Sequence, residues 1–327
     1  MTIKFLIIRL SSIGDIVLTT PVIRCLKQQV EDAEIHFVIK EKHFSVLKAN
    51  PWITKIHTLD GKLSDLIGRL EEEQFDYIID LHQNFRSNRI KGRLKIPAFS
   101  FNKLNLQKWL IVNFKINRLP DQHIVERYLK TVTVFDVVND NKGLDYFIPE
   151  DEEFDFSNLP PHFNDGYIAW VIAGTYFTKK LPSEKIIEVC RNIDKPVILL
   201  GGRNEKTEGR RMAALFPEKV VDLCGETTLN ESADIVRKSR LVLTNDTGLM
   251  HIAAAFRKKI LSFWGNTIPE MGMSPYMPDK GSQILEVKGL KCRPCSKLGY
   301  DNCPKKHFKC MMNLDINEVV QWIENNF

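Results

Sequence analysis

The sequence predicts an α/β protein built from two parallel sheets with crossover helices. Short apolar runs typical of buried strands alternate with segments of helical period, and this alternation restarts in the second half of the chain. The 327 residues are enough for two domains of about 150 residues each. Hydrophobic residues make up 43% of the chain, which can form two cores. We therefore expect two similar Rossmann-like domains that face each other across a cleft.

In the first half, five runs have the length and composition of buried strands. They are Lys4–Leu10, Glu34–Ile39, Lys55–Leu59, Tyr77–Leu81 and Ala98–Phe101. Helical patterns lie between them, the first running from Asp15 to about Gln29, and another covers Gln122–Phe135. The stretch 139–165 is rich in Asp, Glu, Pro and Asn, so it is predicted to link the domains.

The second half repeats the pattern. Its predicted strands are Tyr167–Ile172, Val197–Leu200, Val220–Leu223, Leu241–Thr244 and Lys259–Phe263. Its predicted helices are Ser183–Asn192, Glu205–Phe216, Leu229–Lys238, Thr247–Phe256 and Asp315–Asn326. We therefore expect an N-terminal domain over 1–155, a C-terminal domain over 156–314, and a terminal helix, 315–327, that packs back on the N-terminal domain.

Composition narrows the class of protein. No stretch of about 18 consecutive apolar residues occurs, so no transmembrane segment is expected, and the pattern of a signal peptide is absent. Seven cysteines, an odd number, argue against a complete disulfide framework. We therefore expect a cytoplasmic protein. An NAD-dependent dehydrogenase is disfavoured, because the two strand–helix junctions described next lack Gly-x-Gly-x-x-Gly.

The first predicted strand is followed by a loop suited to a binding site. Ser11-Ser12-Ile13-Gly14 separates the strand from a helix that Asp15 opens. One interpretation is that Asp15 only stabilises the helix, because the helix dipole favours an acidic residue in the first turn. The other is a functional carboxylate, because open α/β sheets bind their ligands at the carboxyl ends of parallel strands.

The junction Thr244–Ala255 is the most informative part of the sequence. It follows the apolar run Leu241–Leu243 and predicts a helix that starts near Thr247. A first helical turn has free backbone N–H groups and the positive end of the helix dipole, so it suits a phosphate or pyrophosphate. Gly248 lets such a ligand approach the backbone, and Asp246 can reach a ribose. A well-capped helix after a buried strand is the alternative.

Two further loops after predicted strands carry polar side chains. Gly174-Thr175 and Lys179 follow the first strand of the second domain, where a Thr and a Lys can bind phosphate oxygens. Gly201-Gly202 and Glu205 follow the next strand. The Glu205 carboxylate can accept a hydrogen bond from a hydroxyl of the ligand, or it can cap the following helix. Asp-x-Asp, the usual short metal clamp for a nucleotide diphosphate, does not occur in the sequence. A helix N-terminus and Lys would therefore have to stabilise a leaving diphosphate.

Together these motifs resemble those of the ADP-heptose:lipopolysaccharide heptosyltransferase family. The resemblance covers nearly the whole chain in the family's order. It rests on five segments, Arg9–Ile16, Asp80–Ser87, Thr178–Pro182, Gly201–Glu205 and Asn245–His251. It implies a GT-B fold, a nucleotide-sugar donor in the C-terminal domain and an inverting transfer.

The same resemblance implies roles for individual residues. Asp15 looks like the catalytic base. The implied donor contacts are Thr175, Lys179, Glu205, Asp246, Thr247, Gly248 and His251. The implied acceptor contacts are Ser12, Gly14, His82, Asn84 and Arg86. No cofactor and no catalytic metal are expected.

The implied reaction is the metal-independent transfer of a heptose from ADP-heptose to the lipid A-linked inner core of lipopolysaccharide. A sugar hydroxyl needs a positioned base at neutral pH, and a single displacement inverts the anomeric carbon without a covalent intermediate. Two alternatives stay open from the sequence. One is a GT-B transferase that uses another nucleotide sugar, and the other is a non-catalytic protein that binds sugar nucleotides.

A basic segment in the first half indicates an anionic partner. From Arg86 to Arg118 there are nine Lys or Arg and no Asp or Glu, with Phe and Trp interleaved. We expect it to recognise a phosphorylated, membrane-held acceptor and to make peripheral contact with the anionic inner face of the inner membrane. A solvated basic face is the alternative. No nucleic-acid motif is present, so no nucleic-acid partner is expected.

Four cysteines lie close together near the end of the sequence. Cys292, Cys295, Cys303 and Cys310 fall within nineteen residues, with His307 nearby. Structural zinc is one interpretation, because thiolates and imidazole bind tetrahedral zinc. Reduced structural thiols are the other, since only the first pair has a firm ligand spacing.

Overall fold

The computed structural model, which describes residues 2–327, contains two α/β units. The first unit comprises the described residues up to Lys103 and Gln122–Phe147, and the second comprises Leu104–Asp121 and Ile148–Phe327. Each unit holds one sheet in which every strand pairs in parallel with its neighbours. The prediction of an α/β protein with two Rossmann-like domains is confirmed.

The first half of the chain forms the five-stranded sheet of the first unit. Its strands are β1 (Ile3–Ile8), β2 (Ala33–Lys40), β3 (Lys55–Leu59), β4 (Tyr77–Asp80) and β5 (Ala98–Ser100). They are arranged in the order β3-β2-β1-β4-β5. The helices of this half are α1 (Ile13–Val17), α2 (Thr20–Gln29), α3 (Leu63–Glu71), α4 (Phe85–Leu94), α5 (Asn105–Phe114) and α6 (Ile124–Leu129).

The second half forms a sheet of six strands. They are β6 (Ile168–Val171), β7 (Val197–Leu200), β8 (Val220–Asp222), β9 (Leu241–Asn245), β10 (Lys259–Trp264) and β11 (Gln283–Glu286). Their order is β8-β7-β6-β9-β10-β11. The helices are α7 (Ser183–Asn192), α8 (Lys206–Leu215), α9 (Leu229–Lys238), α10 (Gly248–Ala255), α11 (Lys309–Met312) and α12 (Ile316–Asn326).

The central strands are buried on both faces, as in sheets covered by crossover helices. In β1, the run Phe5–Ile8 is fully buried. Leu6 and Ile8 belong to one core cluster with Leu66 and Leu70 of α3. All four residues of β7 are likewise buried. The ends of these strands are therefore held in place by the packing of their apolar side chains.

Two helices of the first half are shorter than the sequence predicted. The helix expected over Gln122–Phe135 covers only Ile124–Leu129, and a 3₁₀ turn follows at Thr133–Phe135. The expected helix from Asp15 to Gln29 is divided into α1 and α2, because Pro21 in the first turn of α2 has no N–H to donate to the preceding turn. The hydroxyls of Thr19 and Thr20 donate instead to the carbonyls of Ile16 and Val17. The longest helix, α12, has 11 residues. Within residues 2–327, no helix combines the length and apolarity needed to cross a membrane.

The structure divides the chain differently from the predicted boundaries. The first unit ends at Phe147 rather than at residue 155. The segment Leu104–Asp121, which contains α5, groups with the second unit, where Lys115 Nζ donates to the carbonyl oxygen of Pro294 at 2.6 Å. The terminal helix α12 also belongs to the second unit: it packs against α7, and Trp322 lies in the core of that unit.

Candidate active site

The predicted site residues follow strands at the centre of each sheet. In the first unit β2 and β3 add on one side of β1, and β4 and β5 add on the other. The second sheet has the same arrangement around β6 and β9. In open α/β sheets, ligands bind at such a switch point, outside the carboxyl ends of the strands. Each unit therefore has one candidate site, which we describe separately.

In the first unit, Arg9 and Asp15 form the centre of the switch point after β1. Arg9 is 8% exposed, and its NH2 lies 2.6 Å from Asp15 Oδ1. Its NH1 donates to the carbonyl oxygen of Leu81, after β4, and to the hydroxyl of Tyr128 on α6 at 3.0 Å. Ser12, the N-cap of α1, donates from its hydroxyl to Asp15 Oδ2 at 2.7 Å and from its backbone N–H at 3.1 Å. One guanidinium thus joins the loops after β1 and β4 to α6.

This environment keeps Asp15 ionised. Burial alone would raise the pKa of the Asp15 carboxyl, but the charge of Arg9 and the hydrogen bonds from Ser12 outweigh burial and hold that pKa below its usual value. Both carboxylate oxygens already have partners in this structure. Gly14, an expected acceptor contact, is buried in α1, whereas Ser12 is exposed.

The loop after β4 is held by local hydrogen bonds. The buried Asp80 accepts from the backbone N–H groups of His82 and Gln83, at 3.0 and 2.8 Å. Asn84 is the N-cap of α4: its side chain accepts from the N–H of Ser87, whose hydroxyl in turn accepts from the N–H of Asn84. The amide oxygen of Asn84 is therefore already engaged in capping.

His82 is the polar side chain of this loop that retains unused hydrogen-bonding capacity. Burial, with the charges of Arg9 and Lys103, lowers the pKa of His82 to about 4, so its imidazole is neutral at pH 7. Its Nδ1 is buried and has no hydrogen-bond partner. Arg86, the remaining expected acceptor contact, is exposed on α4.

In the second unit, Lys179 and Asp246 meet at the switch point between β6 and β9. Lys179 Nζ lies 2.5 Å from Asp246 Oδ2, and Thr267 donates to the same oxygen at 3.2 Å. Asn245 orients the loop: its side chain donates to the carbonyl of Ala173 at 3.0 Å and accepts from the N–H of Leu181 at 3.0 Å. The two loops that carry the charged pair are thus joined through a buried amide.

A second ion pair lies beside a cavity in this unit. Lys180 Nζ is 2.5 Å from Glu205 Oε1, and Glu205 Oε2 accepts from the N–H of Gly202 at 2.9 Å. The cavity has a volume of about 460 Å³, within the usual range for small-ligand sites. Its charged lining residues are Lys180, Glu184, Glu205 and Glu208, and most of the others are apolar. Lys180, the neighbour of the predicted Lys179, thus also belongs to the candidate site, although its sequence pattern alone does not indicate it.

The helix after β9 begins where the sequence predicted. Thr247 is the N-cap of α10, and its side chain makes no capping hydrogen bond, so it leaves the N–H groups of the first turn, from Gly248 onwards, to other acceptors. His251 is buried within α10. Thr175, after β6, is exposed.

The basic segment Arg86–Arg118 is divided between the two units. Its residues up to Lys103 belong to the first unit, and the rest belong to the second. Acidic partners come from outside the segment: Lys91 pairs with Asp80 at 2.8 Å and Arg93 with Glu71 at 3.4 Å. Two of the nine positive charges are therefore neutralised by residues outside the segment.

The four clustered cysteines do not form a metal centre in this structure. Among residues 2–327, only His36, His57 and Glu73 form a group of three or more potential ligands with all ligand atoms within 4.8 Å. Cys310 lies in the apolar core of the second unit, where burial raises its pKa to about 11, and the same cause raises the pKa of Cys295 to about 11. Reduced structural thiols and structural zinc both stay predictions for this segment.

Two α/β units, each with one parallel sheet and charged residues at its switch point, have the GT-B fold. The sequence model of glycosyltransferase family 9 (heptosyltransferase) matches residues 64–300, and the chain belongs to this family. Asp15 precedes the matched range, but relatives that align over most of the chain include its region.

Two curated relatives and one solved structure illustrate the similarity. Lipopolysaccharide heptosyltransferase 1 of Campylobacter coli is 26% identical over 81% of this chain and 84% of its own length. Lipooligosaccharide heptosyltransferase 2 of Campylobacter jejuni subsp. jejuni serotype O:2 is 24% identical over 96% and 95%. The structure of E. coli ADP-heptose lps heptosyltransferase II matches with a TM-score of 0.74 at 18% identity, covering 99% of this chain and 98% of that one.

We expect Arg9→Gln to raise the pKa of Asp15, because the burial that remains disfavours the carboxylate once the adjacent positive charge is removed. An NMR titration of the Asp15 carboxyl carbon measures this pKa directly. Arg86→Gln, which removes an exposed charge from the same unit, is the control and should leave the titration unchanged. A pKa that stays below the usual value in Arg9→Gln would assign the effect to Ser12 instead.

Proposed function

We propose that this protein transfers a heptose from ADP-heptose to the lipid A-linked inner core of lipopolysaccharide, with inversion at the anomeric carbon and without a metal ion. The two Campylobacter relatives are named for heptose transfer in lipopolysaccharide or lipooligosaccharide, and the E. coli protein is named for ADP-heptose. The observation that carries the proposal is the occurrence, in one chain, of an ionised Asp15 at one switch point and Lys179 beside the α10 N-terminus at the other.

In this proposal the donor diphosphate binds at the N-terminus of α10. The N–H groups that follow Thr247 and the glycine at position 248 provide an anion site. Lys179 would exchange Asp246 for a phosphate oxygen, and its positive charge would offset the charge that develops on the leaving diphosphate. Asp246 would keep Thr267 as a partner and position Lys179 in the free enzyme.

The nucleoside is proposed to occupy the adjacent cavity. The apolar walls suit a purine ring, and the Lys180–Glu205 pair at the edge provides a carboxylate for ribose hydroxyls. A Cβ added at Gly201 would lie 2.8 Å from Cβ of Glu205, so a side chain there would displace this carboxylate. Thr175 and His251 stay proposed donor contacts from the family resemblance alone.

Asp15 is the proposed catalytic base. The acceptor hydroxyl would replace the Ser12 hydroxyl at Asp15 Oδ2, while Arg9 stays on Oδ1. A carboxylate with a lowered pKa is a weak base, so it takes the proton only after bond formation to the anomeric carbon has made the hydroxyl acidic. The proton then moves to Asp15, and the bonding electrons leave with the diphosphate. Neutral His82, with its free Nδ1, is proposed to bind the acceptor.

Contact with the inner face of the inner membrane is proposed to involve α5. Leu106, Trp109 and Phe114 are 65%, 52% and 58% exposed. An exposed group of large apolar side chains on one short helix, next to basic residues, is typical of interfacial binding. Lys115, at the end of α5, anchors the helix to its own unit through Pro294, so the apolar side chains rather than this lysine are expected to contact lipid.

The proposed function is tested by a transfer assay with purified protein, lipid A-linked core acceptor and a panel of ADP-, UDP- and GDP-sugars. We expect product with ADP-heptose, and we expect the transferred sugar to have the anomeric configuration opposite to that in the donor. Activity should be complete in EDTA, because the site offers Lys179 and helix N–H groups in place of a metal clamp. Preference for another nucleotide would identify a different GT-B transferase. Activity that EDTA abolishes and magnesium restores would contradict the metal-free mechanism.

Asp15→Asn should reduce kcat by about 10²- to 10⁴-fold, the usual effect of losing a general base. The affinity for donor should stay unchanged, because Asp15 lies in the unit that is proposed to bind acceptor. Calorimetry with ADP and single-turnover kinetics measure the two effects. Asp65→Asn, an acidic residue in the first turn of α3 in the same unit, is the matched control. Near-normal turnover of folded Asp15→Asn would remove Asp15 from the mechanism.

Lys179→Ala should raise the Kd for ADP about 10- to 100-fold, since a hydrogen bond to a charged group contributes about 1.5–3 kcal/mol. Lys185→Ala removes a lysine from α7 in the same unit and should leave the Kd unchanged. Calorimetric titration of both variants makes the comparison. Equal affinities would show that the diphosphate binds elsewhere.

Serine substitutions at Leu106, Trp109 and Phe114 should weaken binding to anionic vesicles at least about tenfold. The reason is that the variant lacks the apolar surface that the wild-type side chains would transfer from water to the membrane. Added salt should weaken the remaining binding. Sedimentation with vesicles measures the change, and Leu298→Ser, at another exposed apolar position of the second unit, is the control. Unchanged vesicle binding in the triple variant would exclude α5 as the contact.

A further inference from the structure

Two buried histidines and a glutamate converge in the first unit, in a cluster that the proposed reaction does not use. His36 lies in β2, His57 lies in β3, and Glu73 follows α3. The strands pair His36 with Lys55 and Val38 with His57, so both imidazoles project from one face of the sheet. His36 Nδ1 and His57 Nε2 are 2.9 Å apart. Glu73 Oε2 lies 3.9 Å from His36 Nδ1, and Glu73 Oε1 lies 3.9 Å from His57 Nε2.

Both imidazole rings are buried, and one ring nitrogen has no hydrogen-bond partner. His36 and His57 are 3% and 6% exposed, and Phe75 packs edge-on against both. His36 Nε2 is buried without a hydrogen-bond partner. A buried polar atom of this kind requires a physical explanation.

We propose that His36 Nδ1, His57 Nε2 and one oxygen of Glu73 bind a divalent transition-metal ion of the Zn²⁺ type, with water as the fourth ligand. Zinc bonds to imidazole and carboxylate are about 2.0–2.2 Å long, so tetrahedral ligand atoms lie about 3.3 Å apart. The two nitrogens are 2.9 Å apart, and the Glu73 carboxylate lies 3.9 Å from each of them, through Oε2 for His36 and through Oε1 for His57. A rotation of this carboxylate that turns one oxygen toward both nitrogens, with small side-chain shifts, would complete the site.

A carboxylate is also in place behind the proposed ligands. Glu34 Oε2 lies 3.7 Å from His36 Nε2. A metal-bound histidine usually donates its other ring N–H to a carboxylate or carbonyl, which fixes the tautomer. Binding through Nδ1 of His36 leaves the proton on Nε2, facing Glu34. The tautomer that binds the ion therefore also gives the unpartnered nitrogen its acceptor.

The charges of the cluster fit a dication. Two neutral imidazoles contribute none, whereas Glu73 and Glu34 contribute two negative charges. In this structure Lys55 Nζ binds Glu73 Oε1, and Lys4 Nζ lies 4.0 Å from Glu34. The side chain of Lys55 is 56% exposed, so it can leave Glu73 for solvent at little cost. Lys55 is thus the expected competitor of the ion.

The proposed ion would fasten β2, β3 and the turn after α3 to one another. All three ligands belong to the first unit and none is among the residues proposed to bind donor or acceptor. The site would therefore stabilise the fold without taking part in transfer. Removing the ion should lower Tm. The rate of sugar transfer should stay unchanged at a temperature where the protein remains folded. These two outcomes separate this inference from the mechanism proposed above.

The direct test uses untagged, full-length protein that has been stripped with EDTA and kept reduced. It is titrated with Zn²⁺ by calorimetry and with Co²⁺ by absorption spectroscopy. We expect one ion per chain and a Co²⁺ spectrum of a tetrahedral site without thiolate charge-transfer bands, because the proposed ligands contain no sulfur. Zn²⁺ should also raise Tm. No saturable binding, or a spectrum of thiolate ligation alone, would overturn the proposal.

Variants identify the ligands. Glu73→Gln should abolish binding, and Glu34→Gln should weaken it about 10- to 100-fold, the usual effect of losing a carboxylate behind a metal-bound histidine. Lys55→Met should tighten binding, because it removes the competing ammonium, and a misfolded variant would not gain affinity. His43→Gln, on the same unit outside the cluster, is the matched control. Wild-type affinity in both Glu73→Gln and Lys55→Met would contradict the assignment.

Discussion

In both sheets the chain reverses the direction in which it adds strands, and this topological constraint determines where the chemistry lies. The reversal falls between β1 and β4 in the first unit and between β6 and β9 in the second. Because all strands of a sheet are parallel, the loops at each reversal emerge at the same edge. Arg9 can therefore bond to Leu81 across 72 residues of sequence, and Lys179 can reach Asp246 across 67.

The charged groups at these loops are paired in the ligand-free protein. Arg9 holds Asp15, Lys179 holds Asp246, and Lys180 holds Glu205. Each ion pair avoids the free-energy cost of a partly buried charge without a partner. In the mechanism proposed above, ligands would bind by exchanging partners. A phosphate would take Lys179 from Asp246, so the affinity for donor would be a difference between two charge–charge interactions.

Local patterns predict the elements well and the long-range contacts poorly. Ser183–Asn192 begins and ends where predicted, because its buried residues repeat with helical period. The edge strand Gln283–Glu286 was missed, since only one of its four residues is buried and its pattern is weak. Site residues at strand ends follow from the parallel topology. The bond between Arg9 and Tyr128 spans 119 residues, so no local pattern indicates it.

The assignment of α5 to the second unit affects how such proteins can be recombined. The chain passes from one unit to the other after Lys103, returns after Asp121 and passes again after Phe147. A fragment that starts at Ile148 therefore lacks a helix of its own unit and exposes the carbonyl of Pro294 that Lys115 covers. Exchange of the complete second unit between two members of the family thus requires two separate insertions of sequence, and a single crossover would produce a chimera with a mismatched helix.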